Sequence, residues 1–487
     1  MTTPDLLETL KPRDLWSYFL ALSRIPRGSK HEAAAAAFVA DEARRLGCEV
    51  ERDAVGNVLA RKPAAKGREG RPGVALQGHV DMVCEKNTGT PHDFERDPID
   101  VWRDGELLRA RGTTLGADNG IGVAAALAVL AAKDVAHGPL EVLVTIDEET
   151  GLTGANALAP GWLRSKVLLN LDSEEDGDLT IGCAGGADTV ARRAVRREPS
   201  PAGWSALRIA VTGLRGGHSG VDIGAGRGNA LRILGQVLDG VLERQGVRVA
   251  AVNGGNKRNA IPREAFADVL VEPSRAEGLR EELARAQAEW RAALGAFDPG
   301  VAIAATPPEP GAGAGVLAAD DAAALVRLLA AAPHGVEAMS PAIPGLVQTS
   351  TNLGVATTRD EEVEVTFLSR SALDASRRAV AARVAAACVL AGFDARHSGG
   401  YPGWKPEPGA PIVKLVDDVY AELFGRRMAV KAVHAGLECG IIGEKYPALE
   451  MASFGPDIRD AHTPQENVSI PSVERFWRLL VAVLERA

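Results

Sequence analysis

Cysteine is scarce in this chain, and what there is does not pair. Cys48, Cys84, Cys183, Cys388 and Cys439 are scattered and odd in number, with no Cys-x-x-Cys among them. That argues against a disulfide framework and for a reducing cytosol. Dense basic runs are absent and the formal charge is -9, which disfavours a nucleic-acid partner. The longest apolar run, 121–132, is too short to span a bilayer and reads as a buried helix. Met1-Thr2-Thr3-Pro4-Asp5 lacks the basic-then-apolar order of a secretory leader. The expectation is a cytoplasmic protein with no membrane or nucleic-acid partner.

What is present is apolar mass: 46% hydrophobic residues in a chain of 487. That is too long for one ordinary core, so two domains are expected. One stretch organises the rest. Val142-Leu143-Val144-Thr145-Ile146 reads as a buried strand and runs straight into Asp147-Glu148-Glu149. Three adjacent carboxylates repel one another and lose water if buried. Taken alone, the triplet is either a solvated acidic turn or a place for a cation. The pattern recurs, however. Val74-Ala75-Leu76-Gln77-Gly78 leads into His79 and Asp81, and Val167-Leu168-Leu169-Asn170-Leu171 leads into Asp172. Sites in open α/β sheets lie beyond the carboxyl ends of the strands, so three such endings suggest one shared metal site.

In chain order, a helix is expected to begin at Asp14 and to stop at Pro26. Ser29 with Glu32 reads as a capping box for a helix over 30–46, closed by Gly47. Short strands follow near Glu49 and Val58, then the His79 strand, then irregular chain over 87–111. The glycine-rich turn 112–120 leads into the 121–132 helix but lacks the Gly-Lys-Ser/Thr ending of a phosphate loop. Asp118 there is either a simple cap or a cation ligand. After about residue 187 the clusters of ligand-type residues stop. Breaks at Pro199-Ser200-Pro201 and over 399–411 frame an insert with a flexible loop at 307–315. The expected division is 1–186 with 399–487 as one domain and 187–398 as the other.

His79 and Asp81 are two apart at a strand end, so they share a face, and Asp81 is placed to orient the His79 ring. His462 precedes Thr463-Pro464 and lies in a turn. His79, Asp118, Glu149, Asp172 and His462 suffice for two ions sharing one carboxylate. Imidazole with carboxylate suits zinc, cobalt or manganese better than calcium or magnesium. His31, His92, His137, His334 and His397 have no partner pattern and are expected to be structural or solvent-facing.

Taken together, Gln77-Gly78-His79-Val80-Asp81, Leu115-Gly116-Ala117-Asp118-Asn119-Gly120, Asp147-Glu148-Glu149-Thr150-Gly151 and Gly216-Gly217-His218-Ser219-Gly220 form a specific set. The stretches 23–27, 170–174 and 434–440 and the His462 turn extend it over nearly the whole chain. The set resembles the aminoacyl-histidine dipeptidase family of di-zinc peptidases, also called cytosol non-specific or beta-alanyl-histidine dipeptidases. Glutamate carboxypeptidase and aminoacylase belong to the same larger group. The resemblance implies an α/β catalytic domain with a mostly parallel sheet flanked by helices, and an inserted α+β domain acting as lid and dimer surface.

The resemblance also implies roles. Asp118 bridges two zinc ions, His79 and Asp172 complete one site, and Glu149 and His462 complete the other. Glu148 is the general base, Asp81 orients His79, and the peptide after Asp118 is cis. His218 donates to the oxyanion from the partner subunit of a homodimer, Arg370 pairs with the substrate's terminal carboxylate, and Asn259 is a further substrate contact. Glu438 either holds the free amine of the dipeptide or is a satisfied structural carboxylate. Two rival readings remain: an N-acyl amino-acid deacylase or carboxypeptidase of the same group, and a non-catalytic protein that kept the fold.

Overall fold

The structure, a computed structural model, describes residues 3–308 and 315–487. The chain forms two compact units. One comprises Met1–Gly182, Trp404–Ala432 and Leu437–Ala487; the other comprises Cys183–Gly403 and Val433–Gly436. The divisions fall a few residues away from 186/187 and 398/399. The strands Gly185–Ala194 and Asp394–Tyr401 explain this, because they pair with each other in the second unit's sheet. Residues 309–314 of the expected 307–315 loop lie outside the described residues.

The first unit is built on an eight-stranded sheet. Its centre is parallel: Leu140–Thr145, Val74–His79, Val167–Asn170 and Glu450–Ser453 lie side by side in that order. Antiparallel strands continue it, with Glu49–Arg52 and Val58–Lys62 at one edge. Every residue of Val74–His79 and of Leu140–Thr145 is buried. Both faces are therefore covered, which is why these strands read as continuous apolar runs rather than as an alternation.

The 121–132 run is indeed a buried helix. The helix Ala117–Ala131 is alanine-rich and sheathed on nearly all sides. It follows Gly116, whose φ of 69° suits a residue without a Cβ. Its far end is closed by Lys62, whose Nζ donates to the carbonyls of Leu130 at 2.8 Å and Ala132 at 3.1 Å. A cation there satisfies orphan carbonyls at the negative end of the helix. Asp118 and Asn119 depart from helical geometry inside the first turn, and the peptide between them is cis.

The helix expected over 30–46 spans Ala33–Arg45, and Ser29 does not cap it. Ser29 Oγ donates instead to Asp81 Oδ2 at 2.8 Å. A buried ionised carboxylate is the stronger acceptor, so it takes the hydroxyl that the local pattern assigned to the helix.

The second unit is α+β. A nine-stranded antiparallel sheet is backed by helices that include Ala230–Gln245, Ala276–Leu294, Ala319–Ala331 and Asp374–Leu390. Ala230–Gln245 is a well-delimited helix. Asn229 accepts from the N–H of Arg232 at its start, and Gly246 ends it at φ 63°. Its apolar face, Leu231, Leu234, Leu238 and Val241, packs with Ile209, Val249, Val269 and Phe367 in one core. Among the described residues no helix is long and apolar enough to cross a membrane, and no two of the five cysteines form a disulfide.

Candidate metal centre

The parallel register brings the three ligand-bearing strand ends to one edge. His79 is the last residue of its strand and sits opposite Thr145, while Gln77 of that strand sits opposite Asn170. Glu148 and Glu149 therefore follow on one side of His79 and Asp172 on the other. Asp118 is presented by the start of the Ala117–Ala131 helix, and His462 by a turn in which its own φ is 64°.

The distances are short. His79 Nε2 lies 3.1 Å from Asp118 Oδ1 and 3.3 Å from Asp172 Oδ1. His462 Nε2 lies 3.1 Å from Asp118 Oδ2 and 3.0 Å from Glu149 Oε1. Three ligand groups have atoms within 4.8 Å of one another: His79–Asp118–Asp172, Asp118–Glu149–His462 and His79–Glu148–Glu149. The first two share Asp118, one oxygen each.

The donor chemistry fits divalent cations. Each Nε2 carries at most one hydrogen and faces two carboxylates, so a proton satisfies one of them and leaves the other short. Glu149 Oε1 and Asp172 Oδ1 are buried, and each faces a ring nitrogen that Asp118 also engages. Burial together with the Asp118 and Glu438 charges drives Asp172 up to about 7, against the opposing pull of His79. Hydrogen bonds to Asp118 and Glu149 drive His462 up to about 11. Protons held this tightly are what a bound cation displaces.

Asp81 organises the rest. Its Oδ1 lies 3.3 Å from His79 Nδ1 and accepts the Glu148 N–H at 3.1 Å; its Oδ2 accepts from Ser29 and from the Glu149 N–H at 3.3 Å. Burial pushes this carboxyl up, but the hydrogen bonds and the His79 charge outweigh it and hold the group near 2. The contact with Nδ1 leaves Nε2 for the cluster. Asp147 is set apart from its two neighbours. At φ 48° it accepts from the hydroxyls of Thr150 and Thr153, leaving Glu148 and Glu149 to face the cluster. Glu148 is pushed well above the usual carboxylate range by burial and by Asp172, Glu438 and Glu149, with His79 opposing.

Glu438 is deeply buried beside the cluster. It is 1% exposed, and one of its oxygens accepts from Gln77 Nε2 and from Thr145 Oγ1, each at 2.6 Å. The two donors on Oε2 suit a structural carboxylate, while Oε1 is buried with no hydrogen-bond partner among the described residues.

The second unit holds its own group of predicted residues. His218 pairs with Ala260 on two short strands, and the Asn259 carbonyl accepts the Ser219 N–H at 2.9 Å, so His218 and Asn259 are neighbours. Arg370 is 3% exposed, donates to Tyr401 Oη at 2.7 Å, and has Nη2 3.4 Å from His218 Nε2. His218 Nδ1 accepts from the N–H groups of Gly220 at 3.3 Å and Val221 at 3.1 Å. The ring hydrogen therefore sits on Nε2, and two donors converge with no acceptor between them. Such a pair is suited to an anion. Burial and the Arg370 charge lower the His218 pKa and keep the ring neutral.

Four of the five histidines expected to be structural or solvent-facing have local partners. His137 contacts the Gly138 carbonyl, His334 accepts from Asn229 and Leu353, His397 meets Thr189, and His92 stacks edge-on against Phe94. Three residues beside the cluster received no role from the sequence. Glu466 accepts from the backbone of the Asp118 turn, Arg27 donates to that turn, and burial with the Asp118 and Asp172 charges lifts Glu174 to about 8. All three lie inside the family-like stretches, but nothing in their spacing singles them out.

Comparison with known proteins adds independent findings. Residues 75–486 match the model of peptidase family M20/M25/M40. The cytosol non-specific dipeptidase of Escherichia coli K12 is 43% identical over 487 residues, which covers 98% of each chain. The crystal structure of aminoacylhistidine dipeptidase from Vibrio alginolyticus is 43% identical, with a TM-score of 0.90 over 99% of this chain and 98% of that one. The aminopeptidase PepT of Bacillus cereus shares the fold at 18% identity, with a TM-score of 0.61 over 98% of both chains.

Proposed function

The chain belongs to peptidase family M20/M25/M40, and on that footing we propose that it is a cytoplasmic, metal-dependent dipeptidase acting on unblocked dipeptides, Xaa-His among them. The observation that carries this reading is the shared carboxylate. Asp118 turns one oxygen toward His79 and the other toward His462, with Glu148 alongside. Asp118 would be shared by two divalent cations, with His79 and Asp172 holding one and Glu149 and His462 holding the other. Zinc is the proposed metal because imidazole with carboxylate is its usual donor set, which manganese and cobalt share. When bound, the ions polarise the scissile carbonyl and acidify a water molecule.

The protein's own residues do the remaining work. Glu148 takes a proton from the attacking water and passes it to the leaving amine nitrogen. Asp81 fixes the tautomer and tilt of His79. His218 and Arg370 supply donors for the oxyanion and for the terminal carboxylate, and Asn259 adds a contact beside them. In this reading the second unit is the lid and the dimer surface of a homodimer, and His218 serves the partner subunit's site.

The test is to assay the purified protein with zinc, manganese or cobalt against an unblocked dipeptide, its N-acetyl form and a tripeptide. Cleavage of the unblocked dipeptide alone is expected. Preference for the N-acetyl form assigns the chain to the deacylase alternative, and inactivity toward all three with every metal refutes the enzyme reading.

A further inference from the structure

The turn that presents Asp118 is gripped on both faces by residues that the reaction does not use. On its amide face, the Glu466 carboxylate accepts from the N–H groups of Leu115 at 2.7 Å, Gly116 at 2.9 Å, Ala117 at 2.7 Å and Asp118 at 3.4 Å. On its carbonyl face, Arg27 donates to the Gly116 oxygen and also to the oxygens of Val80 at 2.9 Å and Asp81 at 3.2 Å. Arg27 thereby ties the Asp118 turn to the strand end that carries His79. Both residues are 2% exposed.

This is a costly way to finish a helix. A serine or asparagine side chain satisfies the free N–H groups at a helix start without burying a full charge. Here the acceptor is a buried carboxylate about 350 residues away in sequence. It also sits on the turn that carries His462. The Thr463 N–H donates to the Asp460 carbonyl at 3.2 Å and the Glu466 N–H to the Thr463 carbonyl at 3.0 Å, which makes 460–466 one hydrogen-bonded unit. One side chain therefore joins the turn of Asp118 to the turn of His462.

We propose that Glu466 is a positioning residue that sets the separation of Asp118 and His462 and thereby the affinity of the cation site made by Asp118, Glu149 and His462. Arg27 holds the same turn against the His79 strand. The inference rests on the two-cation reading above. It makes a selective claim, because the His79–Asp118–Asp172 group does not use the 460–466 turn. A merely structural Glu466 would lower stability and weaken both sites alike.

The experiment titrates the metal-stripped full-length protein with cobalt(II), following bound metal by equilibrium dialysis and the visible d–d absorption. His462→Ala identifies which binding step belongs to the His462 site. In Glu466→Gln one oxygen is replaced by an NH2 that faces N–H donors. This variant is expected to lose at least about tenfold in affinity at that step, with an altered d–d band, and to keep the other step within about threefold. Glu141→Gln is the control. Glu141 is also a buried carboxylate, accepting from the N–H groups of Arg164 at 2.8 Å and Ser165 at 2.7 Å, but it lies near the start of its strand. It is expected to melt earlier with both cobalt steps unchanged.

Equal loss at both steps, or no loss in folded Glu466→Gln, overturns the proposal. If Glu466→Gln does not fold, Glu466→Asp, one methylene shorter, is expected to show the same selective loss. If that variant also fails to fold, Glu466 is structural and the proposal falls. A wild-type protein that takes up fewer than two cobalt ions overturns the two-cation reading itself, and this inference with it.

Discussion

Ser29 Oγ sits 2.8 Å from Asp81 Oδ2, and this hydroxyl belongs to the metal centre rather than to the helix that follows it. Ser29→Ala is expected to cost roughly 1.5–3 kcal/mol, because it removes a hydrogen bond to a buried charged group. The amides at the start of Ala33–Arg45 should exchange with solvent no faster than before. Denaturant unfolding combined with amide hydrogen exchange checks both parts. Faster exchange confined to the first helical turn would restore Ser29 as a cap.

Glu148 and Glu149 are neighbours to which the proposed mechanism gives separable duties. Glu148→Ala is expected to lower kcat by at least about 10²–10⁴-fold while the protein still binds two metal ions per chain. Glu149→Ala should lose one of the two ions, since its oxygen faces His462 at 3.0 Å. Metal analysis beside steady-state kinetics separates the two. Substantial turnover in metal-loaded Glu148→Ala removes that residue from the proton transfer.

Arg370 is expected to act on binding more than on chemistry. Arg370→Met should raise KM for dipeptides roughly 10- to 100-fold, the scale of a lost charge-assisted hydrogen bond. The penalty should shrink for the same dipeptide with an amidated terminus. Equal losses for both substrates would show that the guanidinium does not read the carboxylate.

Acid should weaken the second unit through its buried histidines. Burial, aided by the Arg232 charge, lowers His334 to about 4 from 6.5. Burial, with Arg370 and His218, lowers His434 to about 3. Below pH 6.5 the unfolded chain takes up protons that these folded sites refuse. Stability therefore falls as pH drops from about 6.5 through 4, and is fully present above that window. For His334 the loss amounts to roughly 3 kcal/mol. Urea unfolding at pH 7 and pH 4.5 should show a smaller gap in His334→Asn than in the wild type.

Some of this was legible in the sequence, and some was not, for reasons that particular residues make plain. Val74–His79 and Leu140–Thr145 stood out because strands buried on both faces must be apolar throughout, so an abrupt His79 or Asp147 at their ends is conspicuous. The 121–132 helix stood out for the same reason. Ser29 and Glu32 misled because a capping box is a local pattern, and a distant buried carboxylate outcompeted it. Glu466 and Arg27 were silent because their side chains hydrogen-bond to backbone atoms, and the sequence does not record which backbone groups a side chain will meet. The burial of Glu438 was not legible because it arises only when Gln77 and Thr145, distant in sequence, meet it.

Asp118 and His462 are separated by 344 residues, and that interval sets a clock. A ribosome adding about 5–20 residues per second makes His462 roughly 17–70 s after Asp118. During that wait the carboxylates of the earlier strand ends emerge without their last imidazole. The pairing of Asp118 with His462 therefore cannot form until the later turn has been made, and the cluster assembles in two stages separated by that interval.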